Sequence, residues 1–316
     1  MSLPARPSRA FVGDPVLEEV ANGVYAYIQP DGSWWINNTG FVVGPDAIVS
    51  VDSCATEART TAYRMAIGRV STLPVQTLVN THHHGDHTNG NYLFREATII
   101  AQTNCRTEML ATGLPGERTA HTWEAPDWGA LQQALPSVTF DDQLEIWSGD
   151  SRCEVRFAGM PAHTTSDSIF WMPDQSILFA GDLLFNGGTP FVLGGSLKGA
   201  IEALRVLESL AAKTIVPGHG PICGPEVIGQ VLGYLRFVED LARRAVDAQI
   251  SPLEAALQAD LGDYAGLLDC ERIVANLHRA YAELKTDAQG PGRVDRHAAL
   301  RDMVAYNGGR RLTCHA

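Results

Sequence analysis

The stretch that most constrains this chain is Thr81-His82-His83-His84-Gly85-Asp86-His87, directly behind an apolar run at residues 75–80. That order reads as a buried strand emptying into a loop at its C-terminal end. Neutral imidazoles and a carboxylate are the donor set that suits zinc and similar borderline metals. Alternation along an extended segment puts His82 and His84 on one side. Gly85 then permits a turn from which Asp86 and His87 follow. One short loop can therefore feed two neighbouring metal positions. An expression tag would sit at a terminus, not behind a strand, and an isolated His-x-His would carry far less weight than the whole string. The fold must bring further donors to this loop.

Three such donors stand just after apolar runs, with small residues alongside: His163 in Pro161-Ala162-His163, Asp182 in Ala180-Gly181-Asp182, and His219 in Pro217-Gly218-His219-Gly220. Each alone reads equally well as a loop histidine or a helix-capping aspartate. Together with the first loop they make a set whose coincidence is improbable. Gly181, Gly218 and Gly220 let the backbone approach a metal closely.

Around these donors strands and helices alternate. Turn residues and apolar periodicity predict strands over residues 24–29, 34–43 and 47–52, a helix over 56–70, a strand over 75–80, a shorter strand at 98–101 and a helix at 106–111. Between residues 112 and 136 the pattern dissolves into a polar stretch holding Trp123 and Trp128, as expected of a lid or binding loop. Strands near 138, 144–147, 153–157, 169–172, 177–180 and 214–216 follow, with helices over 197–211 and 226–248. The two β-rich halves look like a diverged duplication. Ser251-Pro252-Leu253-Glu254 combines an N-cap serine, a proline at the first helical position and a glutamate three residues on. It opens a helical extension with further helices near 270–285 and 296–304. The expected division is a leader at 1–15, a catalytic domain at 16–250 and a C-terminal helical extension at 251–316 packed on the same domain.

Composition narrows the function classes. A hydrophobic share of 45% with 19% charged residues is that of a soluble globular chain. A formal net charge of −12 disfavours nucleic acid and anionic membranes as partners. No apolar run approaches the roughly 20 residues needed to span a bilayer. The six cysteines are scattered without Cys-x-x-Cys spacing, and no apolar segment follows the basic N-terminus, so a cytoplasmic protein with reduced thiols is expected.

The motifs THHHGDH, PAHT, AGD and PGHG, with Val51-Asp52 before them, resemble the metallo-β-lactamase superfamily over roughly residues 15–250. The resemblance implies an α/β fold, a four-layer αβ/βα sandwich with a two-metal site at one edge of the sheets. It implies two Zn2+ per chain: His82, His84 and His163 on the first, Asp86, His87 and His219 on the second, and Asp182 bridging. Asp52 would orient the histidine loop from behind, and His83 would pack or face solvent. The bridging Asp182 is similar to glyoxalase-II-like and thioesterase-like members rather than true β-lactamases. Flavodiiron-type members carry a glutamate in place of His84.

A narrower likeness rests on FNGGTPFVLGGSLKGAIEALRVLESL (residues 185–210), SPLEAALQADLGDYAGLLDCERIVANLHRAYAEL (251–284) and MVAYNGG (303–309). These resemble the cyclase/thioesterase enzymes of bacterial aromatic polyketide biosynthesis. That likeness implies closure of a second ring by intramolecular aldol condensation and dehydration, with hydrolysis of a thioester as a further capacity. Its substrate would be a small-molecule polyketide, free or held on a carrier protein. The alternative is a general metal-dependent hydrolase of thioesters, lactones or β-lactams. Both reactions use one electrophile, with Asp86 and Asp182 as catalytic carboxylates, so the sequence separates them poorly. A zinc protein without catalysis is the third reading, but structural zinc is normally closed off by four ligands. Trp34, Trp35, Trp123, Trp128, Phe185 and Phe191 stand near the site loops as candidate pocket walls. The apolar faces of the C-terminal helices fit either a cap over that pocket or a homodimer interface.

Overall fold

The computed structural model describes residues 13–29, 31–285 and 293–316. Residues 1–12 of the expected leader and residues 286–292, between the helices expected near 270–285 and 296–304, lie outside them. The first sheet runs in sequence order: β1 (Val16–Ala21), β2 (Val24–Ile28), β3 (Thr39–Val43), β4 (Ile48–Val51), β5 (Val75–Val79), β6 (Thr98–Gln102) and β7 (Val138–Phe140). Helix α1 (Glu57–Val70) crosses from β4 to β5, and the single turn α2 (Gly85–Thr88) follows β5. Between β6 and β7 come α3 (Thr103–Thr112) and the short α4 (Glu117–Ala120).

The second sheet is built from β8 (Gln143–Ser148), β9 (Ser151–Phe157), β10 (Ser168–Met172), β11 (Ile177–Phe185) and β12 (Thr214–His219), ordered β12-β11-β10-β9-β8. Helix α5 (Leu197–Ser209) joins β11 to β12. Then follow α6 (Glu226–Asp247), α7 (Pro252–Gln258), α8 (Arg272–Leu284) and α9 (Arg296–Tyr306). Each half opens with an antiparallel meander and then passes through a helix to a parallel neighbour: β4 to β5 in the first, β11 to β12 in the second. A crossover of that length is what parallel pairing requires.

Period-two patterning explains the layers. Val24, Ala26 and Ile28 on β2 face Val155, Phe170 and Phe179 of the other sheet and form the inner core. The intervening Tyr27 joins Phe41 and Leu78 on the opposite face, against Tyr63 and Ile67 of α1. On the far side of the second sheet, Trp171, Leu178 and Ile215 pack against α5, α6 and α8. The result is a four-layer αβ/βα sandwich. The same outer core takes in Ile273, Leu277, Tyr281 and Met303, so α8 and α9 share the core of the second sheet. At α7 the capping box forms as expected, with Ser251 and Glu254 bonded to each other's backbone N–H and Pro252 at the first turn. Among the described residues no helix is long and apolar enough to cross a membrane.

Two expectations need correction. The strand placed at 34–43 begins only at Thr39, because Trp35 takes a positive φ of 68° and the Trp34–Asn38 stretch folds into a turn. There the Asn38 side chain donates to the Pro217 and Gly220 carbonyls (2.9 and 2.7 Å), tying the two sheets together at their functional end. The strand placed at 177–180 continues to Phe185. Gly181 (φ 52°) kinks it without ending it, so Asp182 projects from inside a fully buried strand rather than from a loop.

Candidate metal centre

All seven expected donors converge. Two groups have ligand atoms within 4.8 Å of one another: His82, His84, His163 and Asp182, and Asp86, His87, Asp182 and His219. Asp182 belongs to both. Its Oδ2 lies 3.3 Å from Nε2 of His163 and of His219, and its Oδ1 lies 3.0 Å from Nε2 of His87. Asp86 Oδ2 stands 3.3 Å from His219 Nε2.

The rings are fixed from behind. His163 Nδ1 donates to the Phe191 carbonyl and His219 Nδ1 to the Gly32 carbonyl, so Nε2 is the unprotonated nitrogen of each neutral ring, and that of His163 faces His84 Nδ1 at 2.8 Å. Asp52 organises the rest. Its carboxylate accepts from the Thr81 N–H and the Thr81 hydroxyl, both at 2.7 Å, and from His87 Nδ1 at 2.8 Å. Because the Thr81 proton is spent on Asp52, its oxygen can only accept from His82 Nδ1 (3.1 Å). His82 and His87 therefore also present bare Nε2 atoms. Asp52 is thus bonded to the histidine loop from behind, held at a positive φ of 60°.

The donor set passes a test of fit. His82 Nε2, His87 Nε2 and Asp182 Oδ1 are buried without a hydrogen-bond partner, a state that is costly in a closed interior. His87 Nε2 and Asp182 Oδ1 stand side by side without the alignment of a hydrogen bond, as two ligands of one ion do. Electrostatics agree. Burial, with neighbouring imidazoles, holds His82 and His84 well below the usual imidazole range. Burial also works against charge on His219, but Asp182 and Asp86 outweigh it and carry the ring up to about 9. For His87, burial is overcome by Asp182, Asp52 and Asp86, and the ring is held well above its ordinary value. Burial opposes ionisation of Asp182 too, yet His219, His87 and His163 keep it well below the usual carboxylate range. Two buried carboxylates thus demand positive charge between them. A cation held between the clusters would meet that demand and displace any proton from these rings. The clusters are suited to metal binding.

Substitution of Asp52 by Asn turns an acceptor into a donor facing His87 and favours the tautomer that protonates Nε2. We expect Asp52→Asn to weaken metal affinity roughly 10–100-fold, measured by competition with a chromophoric chelator. An unchanged affinity would show that Asp52 orients nothing.

The centre opens onto a cavity of about 1040 Å³, whose walls include Trp34, Trp35, Trp123, Phe185 and Phe191. Trp128 is not among the lining residues. Its ring packs edge-on against Trp35 (5.0 Å), while its carbonyl accepts from Glu57 N at the start of α1. His83 is buried rather than facing solvent, near Ser166, and burial with the nearby Arg296 charge pushes it down to about 3. Sequence reasoning missed several walls. Arg272 is buried, its guanidinium 4.1 Å from the Trp34 ring and 5.1 Å from that of Phe185, and Phe185 in turn stacks on His219. Helix α9 contributes Arg296, Leu300, Arg301 and Val304. Its alternation of arginines with apolar residues was the available signal. The 112–136 stretch does wall the cavity, and two backbone bonds between Thr122, Glu124 and Leu312 pin it to the C-terminal tail.

Comparisons with known proteins agree with this geometry. A family model described as the Metallo-beta-lactamase superfamily matches residues 32–219. Over 194 residues the chain is 31% identical to a hydroxyacylglutathione hydrolase from Rhodospirillum rubrum, covering 60% of this chain and 65% of that one. Over 166 residues it is 28% identical to an acyl-coenzyme A thioesterase from Bos taurus, covering 47% and 57%. The chain thus spans less than two thirds of the length of these relatives. A solved Metallo-beta-lactamase from Pontibacter korlensis shares the fold, with a TM-score of 0.59 at 19% identity over 71% of this chain and 99% of that one. The family match takes in every donor from His82 to His219 and more than half of the chain, and on that ground the protein belongs to the metallo-beta-lactamase superfamily.

Proposed function

We propose that the protein is a metal-dependent hydrolase of acyl thioesters with a large apolar acyl group. The observation that carries this reading is the union of two His/Asp clusters through Asp182 at the wall of an aromatic-lined cavity of about 1040 Å³. Two zinc ions would fit: His82, His84 and His163 would hold one, Asp86, His87 and His219 the other, and Asp182, common to both groups, would serve each. Zinc suits a mixed imidazole and carboxylate set. When bound, such ions polarise a thioester carbonyl and make water acidic enough to attack near neutral pH.

The rest falls to the chain's own residues. Trp34, Trp123 and Phe191 offer an apolar bed for the acyl group, and their edge-to-face packing at 5.2 Å keeps that bed rigid. Asp86 lines the cavity and is held ionised by His87 and His219 against the effect of burial. It is placed to take the proton of the attacking water and hand it to the departing thiolate. Both curated relatives are named for hydrolysis of an acyl group carried on a thiol, which supports this order of readings.

Closure of a second polyketide ring, the first expectation from the C-terminal segments, becomes the second reading. One observation favours it: α9, part of the segment that carries that likeness, walls the cavity beside the aromatic rings that would stack on a flat substrate. One assay separates the two. The purified protein is given the N-acetylcysteamine thioester of an aromatic acid and, separately, that of a linear poly-β-ketone, with products followed by mass spectrometry. Thiol release from both without ring closure supports the hydrolase. Ring closure preceding thiol release supports the cyclase, and no reaction with either removes both.

A further inference from the structure

A pocket beside the metal centre carries positive charge that the reaction above does not use. The chain as a whole bears a net charge of −12. Yet a side pocket of about 260 Å³ is lined by Arg279, Arg293 and Arg296, with Glu108 as its one carboxylate. This pocket shares His83, Gly194 and Arg296 with the main cavity. The shared wall is tight: a Cβ on Gly194 would stand 2.9 Å from Arg296 Nη2 and 3.9 Å from His84 Nε2. Guanidinium and donor imidazole therefore flank one glycine. On the other side of the same segment, Arg279 Nη2 donates to the Leu193 carbonyl at 2.7 Å, and its Nε is buried without a partner.

Arg293 and Arg296 are exposed and have no hydrogen bond or ion pair among the described residues. Glu108 accepts from the Thr165 hydroxyl at 3.4 Å. Glu283, which acts on Arg279, accepts from the Leu197 and Lys198 N–H groups at the start of α5 (2.7 and 3.2 Å). Guanidinium groups gathered with spare donors match the geometry of phosphate and carboxylate oxygens.

We propose that this side pocket is an oxyanion subsite that binds a phosphate or carboxylate on the thiol half of the substrate. The proposal rests on the thioester reading and adds a direction to it. With the carbonyl at Asp182 and the acyl group among the tryptophans, the thiol half passes over His83 and Gly194 to the arginines. His83, which belongs to neither donor cluster, then serves as the wall between centre and subsite.

The test uses thioethers that cannot be hydrolysed, so it reads binding without turnover. Calorimetry compares S-ethyl-coenzyme A (phosphates), S-ethylglutathione (carboxylates) and the neutral N-acetyl-S-ethylcysteamine on wild type and on the Arg293→Gln/Arg296→Gln double variant. Both substitutions are at exposed positions, and an unchanged melting temperature confirms that the variant folds. At least one anionic thioether should bind about tenfold more tightly than the neutral one, and its identity tells phosphate from carboxylate. The double variant, and separately added salt, should abolish that preference. Equal binding of all three, or a preference that survives in the variant, would overturn the subsite. Hydrolysis without anion preference would overturn the subsite alone. Anion preference with no thioester hydrolysed would overturn the function and leave the subsite standing.

Discussion

Under the proposed loading of two ions per chain, Asp182→Asn should leave about one, and should cut the proposed thioester turnover about 10³-fold. The side chain keeps its shape, so the loss reports charge rather than packing. Asp182 is the one residue common to both clusters, and three imidazole nitrogens stand within 3.3 Å of its oxygens. Without its negative charge, two dications in the proposed loading would have one fewer carboxylate to offset their repulsion. Metal stabilisation of developing charge is worth several kcal/mol, and each ~1.4 kcal/mol is a factor of ten. Elemental analysis of the dialysed protein gives the occupancy, and steady-state kinetics the turnover. Unaltered occupancy together with unaltered kcat would remove Asp182 from the centre.

Gly218→Ala is expected to lower kcat about a hundredfold while replacing no donor atom. A Cβ at this position would run into Asp182 Oδ1 and lie 2.7 Å from the Gly181 carbonyl carbon. Neither neighbour can give way cheaply. Gly181 is backbone already bent to φ 52°, and Asp182 is held between His87 and His219. A shift of about 1 Å at a reacting group commonly costs two orders of magnitude in rate. The control is Gly229→Ala on α6, where an added methyl meets nothing within 4 Å. Equal activity in the two variants would show that close approach at Gly218 is not needed.

The donors were legible in the sequence because chemistry and position coincide there. No single downstream donor was decisive, but the whole set was, and the loop after β5 alone names four of the seven. The layered fold was legible because apolar alternation and helix signals fall in the order β4-α1-β5 and β11-α5-β12. What failed was decided by long-range contacts. Trp34 and Trp35 look like strand residues until Asn38 is seen reaching across to Pro217 and Gly220. Gly181 looks like a break until its neighbours are paired with β12. Trp128 looks like a pocket wall until Trp35 is found in front of it. The arginines of the side pocket, at 279, 293 and 296, stand apart in the sequence, and only the tertiary packing beside Gly194 gathers them. Ring closure and hydrolysis were inseparable for a different reason: one electrophile serves both.

The donors leave opposite sheets. His82 to His87 hang from β5 in the first, while Asp182 and His219 belong to β11 and β12 in the second. Under the proposed loading the ions act as rivets through the sandwich, and a cation that binds only the assembled halves stabilises them by mass action. At a thousand times its dissociation constant that is about 4 kcal/mol, a large part of what holds an ordinary domain together. Starvation for metal would then do more than silence the enzyme. It would loosen the scaffold, and the cell's proteases would clear the idle copies.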